Sequence, residues 1–209
     1  MTKLISPHGG YEKLKSFQTT EIIYDLTVEF CRRYIQAHKL RDQLEGAARS
    51  GSFNIAEGSQ ASGTSKQTEI RLVDVARDSQ EELKRDLLAF LRQRGLPIWD
   101  KNDPRALEIR KLGYRTDRTF KTYMTYMEKP ETAANGLLCL INQACFLLDR
   151  QLAALDKHLS EKGDFKDRYK QVRKDQLFNS GPSDEEFLKQ FNLKRLENGR
   201  VVKIEEENK

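Results

Sequence analysis

Six cations crowd one stretch of the chain: Arg105, Arg110, Lys111, Arg115, Arg118 and Lys121. Lys111, Arg115 and Arg118 stand at i, i+4 and i+7, a spacing that shares one face if the segment is helical. Tyr114, Tyr123 and Tyr126 are interleaved with them. Guanidinium and ammonium groups hold phosphates and tyrosine rings stack on unpaired bases, so the combination suits single-stranded or folded RNA. The bland alternative is a solvated helix with tyrosines packed at its base. A second cluster, Lys166, Arg168, Lys170, Arg173 and Lys174, is interrupted by Asp167 and includes Tyr169. It reads as an arm adding phosphate contacts or as an ordinary charged linker.

Other chemistries lack their residues. His8, His38 and His158 are far apart, and the single carboxylates at helical spacing from the last two, Asp42 for His38 and Glu161 for His158, are no more than chance gives in so charged a chain, so no metal site is expected. The paired Glu-x-x-His motifs of di-iron bundles are missing. No glycine-rich phosphate loop, Gly-x-Ser-x-Gly elbow or dinucleotide fingerprint occurs. Glu57, Glu69 and Glu82 have no identifiable acid/base partner and read as solvated or structural. The expectation is a protein without catalytic residues, metal or cofactor.

A chain of 209 residues makes about one domain with an appendage. With 37% hydrophobic and 33% charged residues, it calls for long amphipathic helices with wide solvated faces, or an extended tail. The net charge of +5 points to an acidic partner or serves solubility alone. Residues 64–129 carry 15 Lys/Arg against 11 Asp/Glu, so the basic bias lies in the middle helices. Cys31, Cys139 and Cys145 form no Cys-x-x-Cys pair, which favours a reduced, cytoplasmic chain. The longest apolar segment, around 136–148, is interrupted by Asn142 and Gln143, so no membrane association is expected. The start of the chain lacks the apolar core of a signal peptide.

These residues need helices to position them. A first helix is expected over 14–37, with Ile23, Leu26 and Phe30 on one stripe, then a reversal near Ala37-His38 and a second helix over 40–56. Thr64 as N-cap with Gln67 as its capping-box partner opens a third helix, which carries Val73, Ala76, Gln80, Leu83, Leu87 and Phe90 and ends at Gly95 and Pro97. Asp103-Pro104 starts a fourth helix, through Leu107, Leu112 and Phe120 to about Met127. The last bundle helix begins near Pro130. Its Leu138, Ile141, Cys145, Leu148, Leu152, Leu155 and Leu159 alternate three and four apart, as a core seam or a subunit interface. Beyond Gly163, Ser183 and Glu186 form a capping box before Phe187, and Asn198-Gly199 marks a two-residue hairpin turn between 193–197 and 200–204. The terminal 205–209 segment is expected to be disordered.

A segment rich in small residues, Gln43 to Gly58, closes the second helix and leads into the capped third. Gly46, Ala47, Ala48, Ser50, Gly51 and Ser52 permit close helix approach, and Gly58 suits a left-handed helix end. Asn54 and Glu57 read as polar residues that bond helix-end backbone groups and fix the turn.

Asn54-Ile55-Ala56-Glu57-Gly58 resembles the four-helix-bundle family of proteins encoded in intervening sequences of large-subunit ribosomal RNA genes and of accessory variability proteins of diversity-generating retroelements. Gln43-Leu44, Ala47-Ala48 and Ser50 upstream, and Leu72, Ala76, Ser79, Glu82 and Leu83 downstream, stand in family register. Arg49-Ser50-Gly51 and the stretch 61–66 look like the branch carrying a C-terminal suffix region. The likeness covers 14–94 by motif and 95–162 by pattern. It implies five-membered homo-oligomeric rings, no enzymatic activity, and basic surfaces that hold nucleic acid and a reverse transcriptase. This chain has Glu45-Gly46 where many members carry a basic pair, so that surface is not transferred.

The expected fold is therefore all-α: an antiparallel up-down four-helix bundle of about five long helices over residues 1–162, with a suffix over 163–209 holding a short helix and a β-hairpin. The expected function is non-enzymatic binding of RNA or DNA by an oligomer, assisting a nucleic-acid enzyme. A protein–protein scaffold or adaptor, and a mobile-element passenger, stand as alternatives.

Overall fold

The computed structural model describes residues 8–180, 183–197 and 199–203. Four long helices, α1 (Lys15–Tyr34), α2 (His38–Ala61), α3 (Lys66–Gln93) and α5 (Pro130–Lys162), form an antiparallel bundle in which α1 and α3 each pack against both α2 and α5. A short α4 (Pro104–Leu112) and a 3-10 helix, Phe120–Glu128, lie in the connection between α3 and α5 and pack on α5, the 3-10 helix also on α1. After α5 come α6 (Phe165–Ser180), α7 (Asp184–Gln190) and two strands, β1 (Leu193–Arg195) and β2 (Val201–Lys203). The chain separates into two compact units, one up to Lys166 and one from Asp167 onward.

Periodicity explains the core. Val73, Ala76, Leu83 and Leu87 of α3 are wholly buried, as are Ile23, Leu26 and Phe30 of α1. Each such Leu, Ile or Phe contributes about 1.5–3 kcal/mol by leaving water. The seam on α5 is buried at Leu138, Ile141, Cys145 and Leu148, then half-exposed at Leu152, Leu155 and Leu159. By length and composition α5 reaches the lower bound of a membrane span, with a mean hydropathy of 1.2 over its most apolar stretch. Its Leu137, Leu140, Ile141 and Ala144 are, however, spent on the bundle core.

Helix ends follow local chemistry. The reversal between α1 and α2 is the three-residue extended segment 35–37, where Arg41 Nη2 donates to the Ile35 carbonyl at 2.9 Å. Gly95 (φ 62°) closes α3 with its own N–H on Arg92 O and Leu96 N–H on Leu91 O, a Schellman arrangement. Asp103 caps α4 by accepting from Arg105 N at 2.9 Å, with Pro104 at the first helical position. Gly163 (φ 64°) ends α5, and Ser183 and Glu186 form the expected capping box of α7.

Several expectations are corrected. The N-cap of α3 is Ser65, whose Oγ accepts from Thr68 N at 3.1 Å, and Thr64 instead donates to Ala61 O. The shift arises because α2 runs on to Ala61, with Gly58 inside it rather than ending it. A Cβ on Gly58 would lie 3.2 Å from Leu72 Cβ and 3.3 Å from Glu69 O, so this glycine serves close helix approach. Asn54 and Glu57 consequently bond no helix end. Asn54 Nδ2 donates within α2 to Ser50 O and Oγ at 2.9 and 2.8 Å, while Glu57 and Gln43 face solvent. The fourth helix does not reach Met127, since α4 stops at Leu112. Finally, β1 and β2 pair antiparallel with Arg195 opposite Val201, and the Leu196 N–H donates to Arg200 O at 2.8 Å. Gly199 stands at φ 80°, and the expected Asn198-Gly199 turn falls partly outside the described residues. Asn198 and residues 204–209, including the terminus expected to be disordered, lie outside the described residues.

Two glycines of α2 separate packing from propensity. A Cβ on Gly46 would point into open space with no neighbour within 4 Å, whereas one on Gly58 would meet α3. Gly46→Ala should raise stability by about 0.5–1 kcal/mol through helix propensity. Gly58→Ala should lower it by about 1–3 kcal/mol through overpacking. Urea unfolding of both variants checks this, and equal effects would refute the assignment.

Candidate nucleic-acid interface

The cations of residues 105–121 begin on α4 but do not share its face. Gln143 of α5 reaches under the end of α4: its Nε2 donates to Arg110 O at 3.2 Å, and a Cβ on Gly113 would stand 2.6 Å from its Oε1. The helix ends there, and Arg115 and Arg118 follow in irregular chain. Gly113 was the available sequence signal for this stop.

Most of these side chains are already engaged. Arg105 pairs with Asp103 at 2.8 Å and Glu131 at 3.1 Å, and its guanidinium lies 4.2 Å over the Trp99 ring. Glu131 also accepts from Trp99 Nε1 at 2.9 Å, so Arg105 belongs to a lock between the 96–105 segment and α5. Arg110 is half-buried with Nε on Ala106 O. Arg115 forms a bidentate pair with Asp117 at 2.7 and 3.0 Å, which holds the Asp117 carboxyl below the ordinary aspartate value. Arg118 donates to Thr19 Oγ1 of α1 at 2.7 Å. Lys111 and Lys121 are exposed and enter no described ion pair. Of the three tyrosines, Tyr123 is buried, Tyr126 is half-buried with its phenol pushed up to about 12 by burial and by Glu108, and Tyr114 alone projects, 84% exposed.

The second cluster is better organised than its sequence indicates. It lies on α6, where Lys166, Lys170, Arg173 and Lys174 are all exposed and fall at i, i+4, i+7 and i+8, one side of the helix. Tyr169, 49% exposed, stands beside Lys166 and Arg173 at helical spacing. Arg168 belongs to the opposite side and is half-buried, at helical spacing from the half-buried Phe165 and Val172. Asp167, one heptad before Lys174, marks the acidic edge of the basic face.

Asp164 fixes where α6 starts, and sequence reasoning missed it. Its Oδ1 accepts from Lys66 N at 2.9 Å and from Phe165 N at 2.7 Å, joining the first turn of α3 to the start of α6. Burial raises its pKa, but the N–H groups of Lys66, Phe165 and Gln67 and the Ser65 hydroxyl outweigh this and hold the carboxyl below the ordinary value. An acid directly after a helix-ending glycine and before an aromatic-led helix is the N-cap signature that could have revealed it.

No metal-holding group of His, Cys, Asp and Glu occurs among the described residues. The thiols of Cys31 and Cys145 are buried, which pushes them up to about 12 and about 11, so neither is poised as a nucleophile. No protein-family model, curated protein or solved structure matches the chain.

Asp164→Ala should cost about 1 kcal/mol at neutral pH, the ordinary loss of a cap. Because the folded pKa is below the unfolded value of about 3.9, the ionised contribution is complete above that value and is lost as pH falls through the folded one. The gap between wild type and variant should therefore narrow in acid below about pH 4. Urea midpoints at several pH values test this, and a pH-independent gap would exclude the carboxylate as the cause.

Proposed function

We propose that this chain is a non-enzymatic helical bundle that binds RNA or DNA through the basic face of α6. One observation carries the reading: Lys166, Lys170, Arg173 and Lys174 are exposed together on one side of a helix with Tyr169 adjacent. Cations on such an arc can follow successive phosphates while the ring stacks on a base. Lys111, Lys121 and Tyr114 offer a second, sparser surface on the bundle. Arg105, Arg115 and Arg118 serve the fold or their own acidic partners and are assigned no phosphate contact.

The resemblance at Asn54 to Gly58 supports a homo-oligomer, five-membered by analogy, that presents several α6 faces at once and partners a nucleic-acid enzyme such as a reverse transcriptase. Repetition of a modest face raises avidity without any new contact. The free cysteines Cys31, Cys139 and Cys145 favour a reducing, cytoplasmic setting. A second reading, a protein-docking scaffold, is favoured by Phe187 and Phe191, 52% and 60% exposed with ring centroids 5.1 Å apart.

Titration of fluorescent single-stranded RNA and DNA against salt tests the proposal. Four phosphate contacts should give a slope of log affinity against log salt of about −3 for single strands. Charge reversal of the four α6 cations should abolish most binding and flatten the slope, whereas reversal of Lys111 and Lys121 should have a smaller effect. Absence of salt-sensitive binding at low salt would overturn the reading and leave the scaffold.

A further inference from the structure

A cleft of about 520 Å³ opens in the first unit, walled by α3, the 98–101 segment, α4 and α5. Its volume lies within the range of roughly 300–1,000 Å³ in which proteins hold small organic ligands. Two of its cations have N–H donors to spare. Lys101 is exposed and enters no described ion pair, and the Nη2 of Arg110 is buried with no hydrogen-bond acceptor among the described residues. A buried guanidinium N–H without an acceptor is costly, and an anionic oxygen is the group that would satisfy it. The acid on the wall, Asp100, is engaged with the Asn102 N–H at 2.8 Å.

Apolar rings stand beside these donors. Tyr114 and Phe146 line the same cleft while 84% and 60% exposed, so their ring surfaces contribute little to the core. Asn142, also on the wall, is exposed and makes no described hydrogen bond. Ring faces, an amide with no described partner, the Lys101 ammonium and the spare Nη2 of Arg110 together fit a flat heteroaromatic body that carries an anion. A purely apolar ligand would leave Arg110 unsatisfied, and inorganic phosphate would leave the rings unused.

We propose that this cleft binds a nucleotide unit, with the base against Tyr114 and Phe146, its edge near Asn142, and the phosphate on Lys101 and Arg110. The site lies on the bundle and does not depend on the α6 face. The unit is either a free nucleoside monophosphate or the phosphorylated end of a strand, and both present the same base and phosphate.

Trp99 is the chain's one tryptophan and lines the cleft, so its emission reports occupancy. Titration with AMP, GMP, CMP and UMP should give a saturable emission change, reproduced by calorimetry, with adenosine and ribose 5-phosphate each about tenfold weaker or more, a loss of about 1.4 kcal/mol. Lys101→Glu and Tyr114→Ala, both at exposed positions, should keep the wild-type melting temperature and lose about tenfold in affinity. A 5′-phosphorylated oligonucleotide that competes identifies a strand end, and one that does not identifies the free nucleotide. The variant with the α6 cations reversed should bind monophosphates unchanged, which separates this site from the α6 reading. No saturable response by either method up to about 10 mM, or full affinity in both cleft variants, would overturn the proposal.

Discussion

The distance between α2 and α3 is the constraint on which the rest of the structure depends. At Gly58 the backbone of α2 comes so near α3 that a methyl group would stand 3.2 Å from Leu72 Cβ, and at Gly51 it would meet the Gln80 amide at 2.0 Å. Close approach places Val73 and Ala76 against Ile55, Phe17 and Leu148, one layer drawn from all four long helices. It also seats the first turn of α3, where buried Glu69 pairs with Lys66 at 2.6 Å and Lys66 N reaches Asp164. The start of α6 is thus tied, through Asp164, to a contact that a side chain at Gly58 would crowd.

That geometry has a polar cost. Gln80 is wholly buried between the apolar layers, and neither atom of its amide has a described partner. It falls in the α3 stripe between Ala76 and Leu83, so periodicity alone would read it as core, and by burial it is. The half-buried seam outside it is better satisfied: Asn54 donates to Ser50, and Ser79 Oγ donates to Ser50 Oγ at 2.9 Å. Small polar residues therefore do two jobs on α2, letting α3 approach and bonding to it.

The sequence revealed the fold well because its signals were local. Repeats on α1, α3 and α5, the Asp103-Pro104 start, the Gly95 stop and the Ser183–Glu186 box all act within one or two turns. What it hid was nonlocal. Nothing near Gly113 announces that Gln143 will lie against it, and nothing near Gly58 says that Leu72 will. Identical glycines therefore received the wrong roles, one read through and the other read as an end. The basic stripe at Lys111, Arg115 and Arg118 failed for the same reason, since a shared face requires a helix that Gln143 has already stopped.

The two cation clusters differ in what their charges are used for. In the bundle, arginines tie elements together: Arg33 Nη1 and the Tyr34 hydroxyl both donate to Met127 O, at 3.1 and 2.7 Å, and Arg32 with Arg33 holds the Glu29 carboxyl down to about 2. On α6 the balance reverses. Lys166, Lys170, Arg173 and Lys174 repel one another at three- and four-residue spacing, and Lys166 stands in the first turn, where the helix dipole disfavours a cation. With Phe165 and Val172 half-buried at best, the helix gains little apolar burial to offset that repulsion. Asp167, in the first turn and three residues before Lys170, offsets part of that repulsion, so the basic face is carried by a helix held mainly through its start at Asp164.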